Sequence, residues 1–416
     1  MKKVIILTLV FALVFGISGT FAGFTPPSAN ASIGTSLTRD DAGAGASRPI
    51  IKAKWEMKGP CFSGSTWNNC STVGEGEDAL GDEYAQFNAP GVWDDVMNYT
   101  VCAIVTDPNG VGTINGVYAD IYYPASVAFH PESNSPYNDK INGGPLTSTD
   151  PGPDYGKSGC GAFIEENTLK PLSMSDGYDL FCNHINGSNN NLPTFYGGYN
   201  YNDICGDGTN EGQLVKQTAK VYCDDKTLKW EDPAGNYKVE VFAIDSSGNF
   251  SYTTSPDYNH FTYRETLGFQ VDFDAVDYGT VALSNPGDEH KKIAGDLTWD
   301  TMAGAAGTND NPASVRNIGN VRLNMLVKQN DMGLGQSSGQ WNVEYDARVG
   351  ANEADWKKYS PSSTTFAELE DILDLSQLEE MDFSILVTKF PSIATNYTGV
   401  MDLDAEKAEF RQCGHQ

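Results

Sequence analysis

Asp203, Asp207, Asn210 and Glu211 crowd a glycine-rich loop beside Cys205. Carboxylate and amide oxygens gathered so closely are the donor set a hard divalent cation takes, so calcium is the one cofactor the sequence invites, although the spacing is not that of an EF-hand. Just upstream, Phe195, Tyr196, Tyr199 and Tyr201 lie among Gly197, Gly198, Asn200 and Asn202. Such a mixture could stack on sugar rings while offering amide hydrogen bonds. The same rings could instead form the small core of a segment poor in regular structure, because each buries a large area.

Catalytic patterns are scarce. Gly335-Gln-Ser-Ser-Gly339 has the spacing of a nucleophile elbow, but a polar glycine-rich stretch surrounds it and not a strand and a helix, so it reads as a loop. His130, His184, His260, His290 and His415 are scattered and fit no metal or general-base motif. No Cys-x-x-Cys pair offers a zinc knuckle. Asp40-Asp41, Asp94-Asp95, Asp224-Asp225 and Glu379-Glu380 supply the carboxyl pairs a glycosidase needs, but 55 acidic residues make such pairs a matter of chance.

The elements that must position these residues follow from composition. The chain has 416 residues with 43 Gly, 20 Pro and 20 Tyr, which favours short strands and turns over long helices and is too long for one ordinary domain. Its net charge of −28 repels phosphate backbones and anionic lipid, which excludes nucleic acid as a partner. Residues 1–22 read as a secretory signal peptide: Lys2 and Lys3, an apolar run from Val4 to Phe15, then Thr20-Phe21-Ala22. That run is short of the ~20 apolar residues a membrane-spanning helix needs, and the mature chain is expected to carry no transmembrane segment. Residues 23–48 are dominated by Gly, Ala, Ser, Thr and Pro without helical or alternating periodicity, a flexible leader.

Export makes the eight cysteines a disulfide framework: Cys61, Cys70, Cys102, Cys160, Cys182, Cys205, Cys223 and Cys413. Cys61 with Cys70 and Cys205 with Cys223 are the nearest local pairs. Because the first seven fall before residue 267, one of them must be free, reach Cys413, or bond another chain. Asn30, Asn69, Asn98, Asn186, Asn249 and Asn396 are sequons and candidate glycan acceptors.

Strands begin at Ile50–Met57 and Asn98–Thr106, the latter ending in the turn Asp107-Pro-Asn-Gly110. Val117, Ala119, Ile121 and Tyr123 then alternate with polar neighbours, a half-buried strand. From Pro124 to Gly212 the pattern dissolves, far beyond an ordinary connection of ~4–6 residues, which implies an insertion stapled by Cys160, Cys182 and Cys205. Ser173 and Asp176 have capping-box spacing and start a short helix there. Strands resume over Gln213–Cys223 and Tyr237–Ile244 before the turn at Asp245. In the second block Phe269, Val271 and Phe273 alternate, as do Val321, Leu323, Met325 and Val327, and further strands are expected at Trp341–Val349, Met381–Lys389 and Tyr397–Leu403. Thr365–Glu380 fits a short acidic helix or a strand and turn. Residues from 405 read as a charged tail.

Ala234-Gly-Asn-Tyr237-x-Val239-x-Val241-x-Ala243-x-Asp245-x-x-Gly248-Asn249-x-Ser251 resembles the final hairpin of bacterial Ig-like and PKD-like modules of prokaryotic surface proteins. Asn317-Ile-Gly-Asn320, entering a strand, resembles the turns of other β-sandwich modules in secreted and envelope proteins. The resemblance implies an all-β fold of two tandem Ig-like sandwiches, residues 49–266 with the insertion 124–212 and its helix, then 267–404. It implies a secreted or cell-surface structural or adhesion protein without catalysis, whose partners are other envelope proteins or surface glycans. Carbohydrate binding through the aromatic insertion is the alternative, and a secreted glycoside hydrolase the remaining one.

Overall fold

The computed structural model describes residues 48–64, 66–68, 85–122, 124, 163–185, 194–195, 199–252, 260–300, 304–307, 313–391 and 396–408. Strands dominate them, and they fall into two β units.

In the first unit a five-stranded sheet runs in the order Lys170–Pro171, Ala219–Lys229, Val96–Thr106, Ile50–Lys58, Thr194–Phe195. A six-stranded sheet packs on it, in the order Gln86–Asn88, His260–Arg264, Gly235–Asp245, Ile114–Tyr122, Phe163–Thr168, with Phe250–Tyr252 beside Gly235–Asp245. Successive residues of a strand point to opposite faces. Thus Tyr99, Val101, Ala103 and Val105 meet Val117, Ala119, Ile121, Val239 and Val241 between the sheets. Cys102 and Ile104, facing the other way, join Trp55, Phe181 and Ile204 in a second core beneath two short helices. The central strands are therefore covered on both faces, and the unit has three layers.

The third layer comes from the stretch that reads as an excursion. Its helix Met174–Tyr178 starts where the capping-box spacing puts it, with the Ser173 hydroxyl accepting from the Asp176 N–H at 3.1 Å. A wider turn of helix, Asp179–Ile185, and a second helix, Tyr201–Cys205, follow. Phe163–Thr168 pairs with Ile114–Tyr122, and Lys170–Pro171 with Ala219–Lys229. The segment from Phe163 onward is thus woven into both sheets and does not stand apart from them. The strand expected from Gln213 starts only at Ala219, because Gln213–Thr218 is folded back by turns such as Thr218 N–H to the Gln213 carbonyl, 2.9 Å.

The expected pairing of Cys205 with Cys223 is wrong. Cys102 bonds Cys223 across neighbouring strands, where the register sets them opposite each other, and Cys182 bonds Cys205 between the two helical pieces. Proximity along the chain misled, because strand pairing brings together residues 121 apart. Cys61 is also disulfide-bonded; Cys70, Cys160 and Cys413 lie outside the described residues.

In the second unit a six-stranded sheet contains Phe269–Val271, Ser314–Asn317, Leu378–Val387, Val343–Val349 and Lys357–Tyr359 in that order, with Lys291–Ile293 beside Leu378–Val387. Across a core of Val315, Leu323, Met325, Val327, Tyr345 and Phe383 lies a three-stranded sheet of Ala367–Leu373, Leu323–Gln329 and Met401–Lys407. The ambiguous Thr365–Glu380 stretch is two strands around a turn at Asp374, whose carbonyl accepts from Gln377 N–H. The chain beyond residue 404 is not yet a tail: it stays in the strand to Lys407, whose charged residues point outward while Met401, Leu403 and Ala405 face the core.

Asn320, fully buried, ties the units together. Its side chain accepts from Thr266 N–H at 2.7 Å and donates to the Arg264 carbonyl at 2.8 Å, while its own carbonyl accepts from Ala234 N–H at 3.0 Å. A Cβ on neighbouring Gly319 would stand 2.2 Å from the Thr266 carbonyl oxygen, so only glycine fits. Beside this seam Trp93 packs on Trp230, with ring centroids 4.4 Å apart, and the Arg316 guanidinium lies 4.4 Å from the Trp93 ring centroid and 3.7 Å from that of Trp299.

Candidate functional site

The capping layer brings several of the singled-out residues together around a lysine that sequence reasoning passed over. A register shift between Ile51 and Ala53 leaves Lys52 as an extra residue in the strand. Its ammonium lies 3.8 Å from the ring centroid of Tyr199, in the field of Asp203. Lys52 is only 4% exposed. Burial pulls its pKa down to about 8, with the Asp203 carboxylate opposing that drop. The only signal in the sequence is a lysine in an apolar-alternating strand, which a solvent-facing position would explain as well.

Of the four aromatics, Tyr201 is structural. Its hydroxyl donates to the Cys182 carbonyl at 3.2 Å and its ring lies 6.3 Å from Phe181. Tyr199 gives one face to Lys52. Phe195 pairs through its backbone with Ala53, and Tyr196 falls outside the described residues. Tyr199 is half-buried and Asp203 exposed, so a ring and a carboxylate acceptor stand open to a hydroxyl-rich ligand while buried Lys52 is shut away from it.

The acidic loop is held by its own hydrogen bonds. The Asp207 carboxylate accepts from the N–H groups of Thr209 at 2.8 Å and Asn210 at 2.6 Å and from the Asn210 amide, and these donors lower its pKa. Asn200 caps the Tyr201–Cys205 helix by accepting from Asp203 N–H, and Glu211 pairs with Gly206. Among the described residues no three His, Cys, Asp or Glu side chains gather as a metal-binding group.

His290, Asp346 and Ser384 meet in the second unit, which their separation in sequence hid. His290 Nδ1 lies 2.7 Å from Asp346 Oδ2 and 3.2 Å from Ser384 Oγ, while the Ser384 hydroxyl donates to the same Asp346 oxygen at 3.0 Å. A catalytic triad routes serine to one ring nitrogen and aspartate to the other. Here both crowd one nitrogen and the serine, 1% exposed, is spent on the aspartate. The arrangement braces strands and does not activate a nucleophile. Ser337 sits in a hairpin of Gln336–Ser337 and Gln340–Trp341, turned by Ser338 and Gly339 at φ 53° and 79°. Asp107 and Asp245 close turns through side-chain bonds to the N–H groups of Asn109 and of Ser247 and Asn249.

Among the sequons, Asn396 is exposed, Asn98 and Asn249 are half-buried, and Asn30, Asn69 and Asn186 lie outside the described residues. No helix among the described residues is long and apolar enough to cross a membrane.

No protein-family model matches the chain, and no curated protein matches it. Among solved structures it is similar to the C-terminal domain of the AgI/II polypeptide BspA of Streptococcus agalactiae, at 10% identity over 86% of this chain and 96% of that one, with a TM-score of 0.19. A second structure titled as the wild-type C-terminal part of BspA matches at 10% identity over 80% and 96%, with a TM-score of 0.18. At such scores the likeness carries no argument about fold or activity.

Proposed function

We propose that the protein is an exported, non-catalytic structural or adhesion component of the cell surface, made of Ig-like modules and meeting other envelope proteins or surface glycans. The observation that carries this reading is the Cys102–Cys223 bond, buried in the centre of the first unit. Such a bond persists where the surroundings are oxidising, outside the reducing cytoplasm. The tied junction at Asn320 supports a stiff structural role, because it couples the two cores. Labelling intact cells with a membrane-impermeant reagent tests the location: the mature chain, starting near Gly23 and carrying −30 once Lys2 and Lys3 are removed, is expected in the labelled fraction. Recovery only from the cytoplasm, with Met1 retained, would overturn the reading.

Carbohydrate binding is the second reading, favoured by the half-buried Tyr199 ring and the exposed Asp203 carboxylate around the buried Lys52. Calcium at Asp203, Asp207, Asn210 and Glu211 belongs to it only with a rearranged loop, because these side chains do not gather as a metal-binding group and Asp207 is engaged by Thr209 and Asn210. Retention on immobilised glycans, with and without a chelator, tests both together.

A further inference from the structure

We infer that an open groove in the second unit receives residues 29–37 of another copy of this chain as an added strand, linking molecules head to tail. The inference rests on the structural reading above and gives it an assembly mechanism.

The groove has a volume of about 1180 Å³ and lies where the two sheets of the second unit part. Phe269 and Val271 of one edge strand, Met401 and Leu403 of the other, and the segment from Phe273 to Val281 all line it. Among the described residues each of these edge strands pairs on one side only. Their core-facing side chains stay half-buried, and Val400 at the lip is 59% exposed. A strand edge left unpaired among the described residues, beside a trough of mixed apolar and polar lining, is the geometry that β-strand addition completes: backbone bonds go to the edge and alternate side chains go into the trough.

The leader supplies a matching strand. As a whole it lacks periodicity, but over residues 29–37 Ala29, Ala31, Ile33, Thr35 and Leu37 alternate with Asn30, Ser32, Gly34 and Ser36, which corrects the patternless reading for this stretch. Small residues weaken the signal. Charge supports the match, because residues 23–38 contain no Asp, Glu, Lys or Arg, and the edge strand Met401–Lys407 points Asp402, Asp404 and Glu406 outward. In a chain of net charge −28 an uncharged segment approaches that edge without repulsion.

Where the leader ends favours a second copy over the same chain. Ile50 pairs with Thr106, and Pro49 accepts from Ser251, at the end of the first unit away from the junction; Lys58, Val96 and Lys229 mark the junction end. The strand Ile50–Lys58 alone spans roughly 30 Å at ~3.3 Å per residue, and the groove begins only past the junction, at Phe269. Residues 38–48 could bridge at most about 40 Å when fully extended, so reaching the groove of the same molecule would need a taut linker. A neighbouring molecule faces no such limit. Joining one pole to a groove near the other gives a heterologous contact that repeats along an open chain.

Sedimentation velocity and electron microscopy of the purified mature chain, residues 23–416, test this beside a deletion of residues 29–38 and a labelled peptide of residues 27–39. The intact chain is expected to form linear multimers. The deletion variant is expected to stay monomeric with an unchanged melting temperature and to bind the peptide. Ile33→Asp with Leu37→Asp in the peptide should weaken that binding by roughly tenfold or more, and Leu403→Asp in the deletion variant should do the same. Multimers formed equally well without residues 29–38, or no peptide binding to the deletion variant, would overturn the inference. So would a monomeric intact chain that binds peptide only after its own leader is removed, which marks occupancy within one molecule. A chain that is labelled on the cell surface but never multimerises would sink the inference and leave the proposed function standing.

Discussion

The two units solve the same problem differently. The first stacks three layers and holds them with disulfides at Cys102–Cys223 and Cys182–Cys205, whereas the second has no cysteine from residue 267 to 412 and relies on one core. The first bond pins two long central strands, and the second sits where the chain is least regular. Helices of five residues, Met174–Tyr178 and Tyr201–Cys205, are too short to hold themselves, so a covalent tie and Trp55 beneath them do so. The second unit instead buries polar side chains that organise its strands. Arg348 donates to Asp382 at 2.7 Å, and the Asp272 carboxylate accepts from Ser314 N–H at 2.8 Å and from Asp300 N–H at 3.1 Å.

The largest way to break this contrast is to remove the covalent ties. Opening Cys102–Cys223, which closes a loop of 121 residues, should cost about 4–5 kcal/mol, and opening Cys182–Cys205 about 3 kcal/mol. Calorimetry of Cys102→Ala/Cys223→Ala should show one transition moved to lower temperature and the other nearly unmoved. Equal shifts in both would mean that the units melt as one body.

The junction comes next. Replacing Asn320 by Ala leaves the Thr266 N–H and the Arg264 carbonyl without partners in a buried seam, which should cost about 2–3 kcal/mol. Limited proteolysis should then cut near residues 264–268 in a chain otherwise intact. Asn320→Asp keeps the acceptor and loses the donor, so it should fall between Ala and the parent.

The regular strands were legible because alternation and a buried face coincide: Val117, Ala119 and Ile121, or Leu323, Met325 and Val327, read directly as inward-facing sets. The capping layer was legible only at Ser173, where a local hydrogen bond leaves a local signature. Its weaving into both sheets was not, since Phe163–Thr168 and Lys170–Pro171 are short edge strands specified by their partners. Most misleading is Ile50–Lys58, whose polar residues look made for solvent. Lys54 and Glu56 pair with each other entirely out of water, opposite Ala103 and Val101, and Lys52 turns toward Tyr199 through a register shift that no spacing announces. The candidate site was therefore half visible: Tyr199 and Asp203 were picked out, and the lysine between them was missed.

That lysine gives the first unit a pH signature the second should lack. With a folded pKa of about 8 against an ordinary value of 10.5, Lys52 takes up a proton in the unfolded chain that the folded chain refuses across that window. Stability should therefore rise from pH 8 toward 10, by an amount on the order of 2 kcal/mol. Above pH 10 the sign reverses. Burial pushes Tyr222 up to about 12, so the unfolded chain loses that proton first and stability falls. Denaturant midpoints measured from pH 7 to 11 should show this maximum for the first unit, and Lys52→Met should remove its rising limb while leaving the fall.

Tyr199→Ala is expected to have the smallest effect and to discriminate best. If the ring serves only as packing for Lys52, its loss removes a cation–π contact worth about 1–2 kcal/mol at a largely desolvated site. It also admits water to the ammonium, so the lysine pKa should move up from about 8 and the rising limb should shrink with the melting temperature. If the ring serves a sugar, glycan retention should vanish while stability changes by less than about 0.5 kcal/mol, as for an exposed substitution. Tyr201→Ala is the control: with its hydroxyl on the Cys182 carbonyl and its ring near Phe181, it should destabilise the capping layer by roughly 3 kcal/mol, as for a packed aromatic. Equal stability losses in the two variants would make both rings part of the cap and leave the carbohydrate reading without a platform among the described residues.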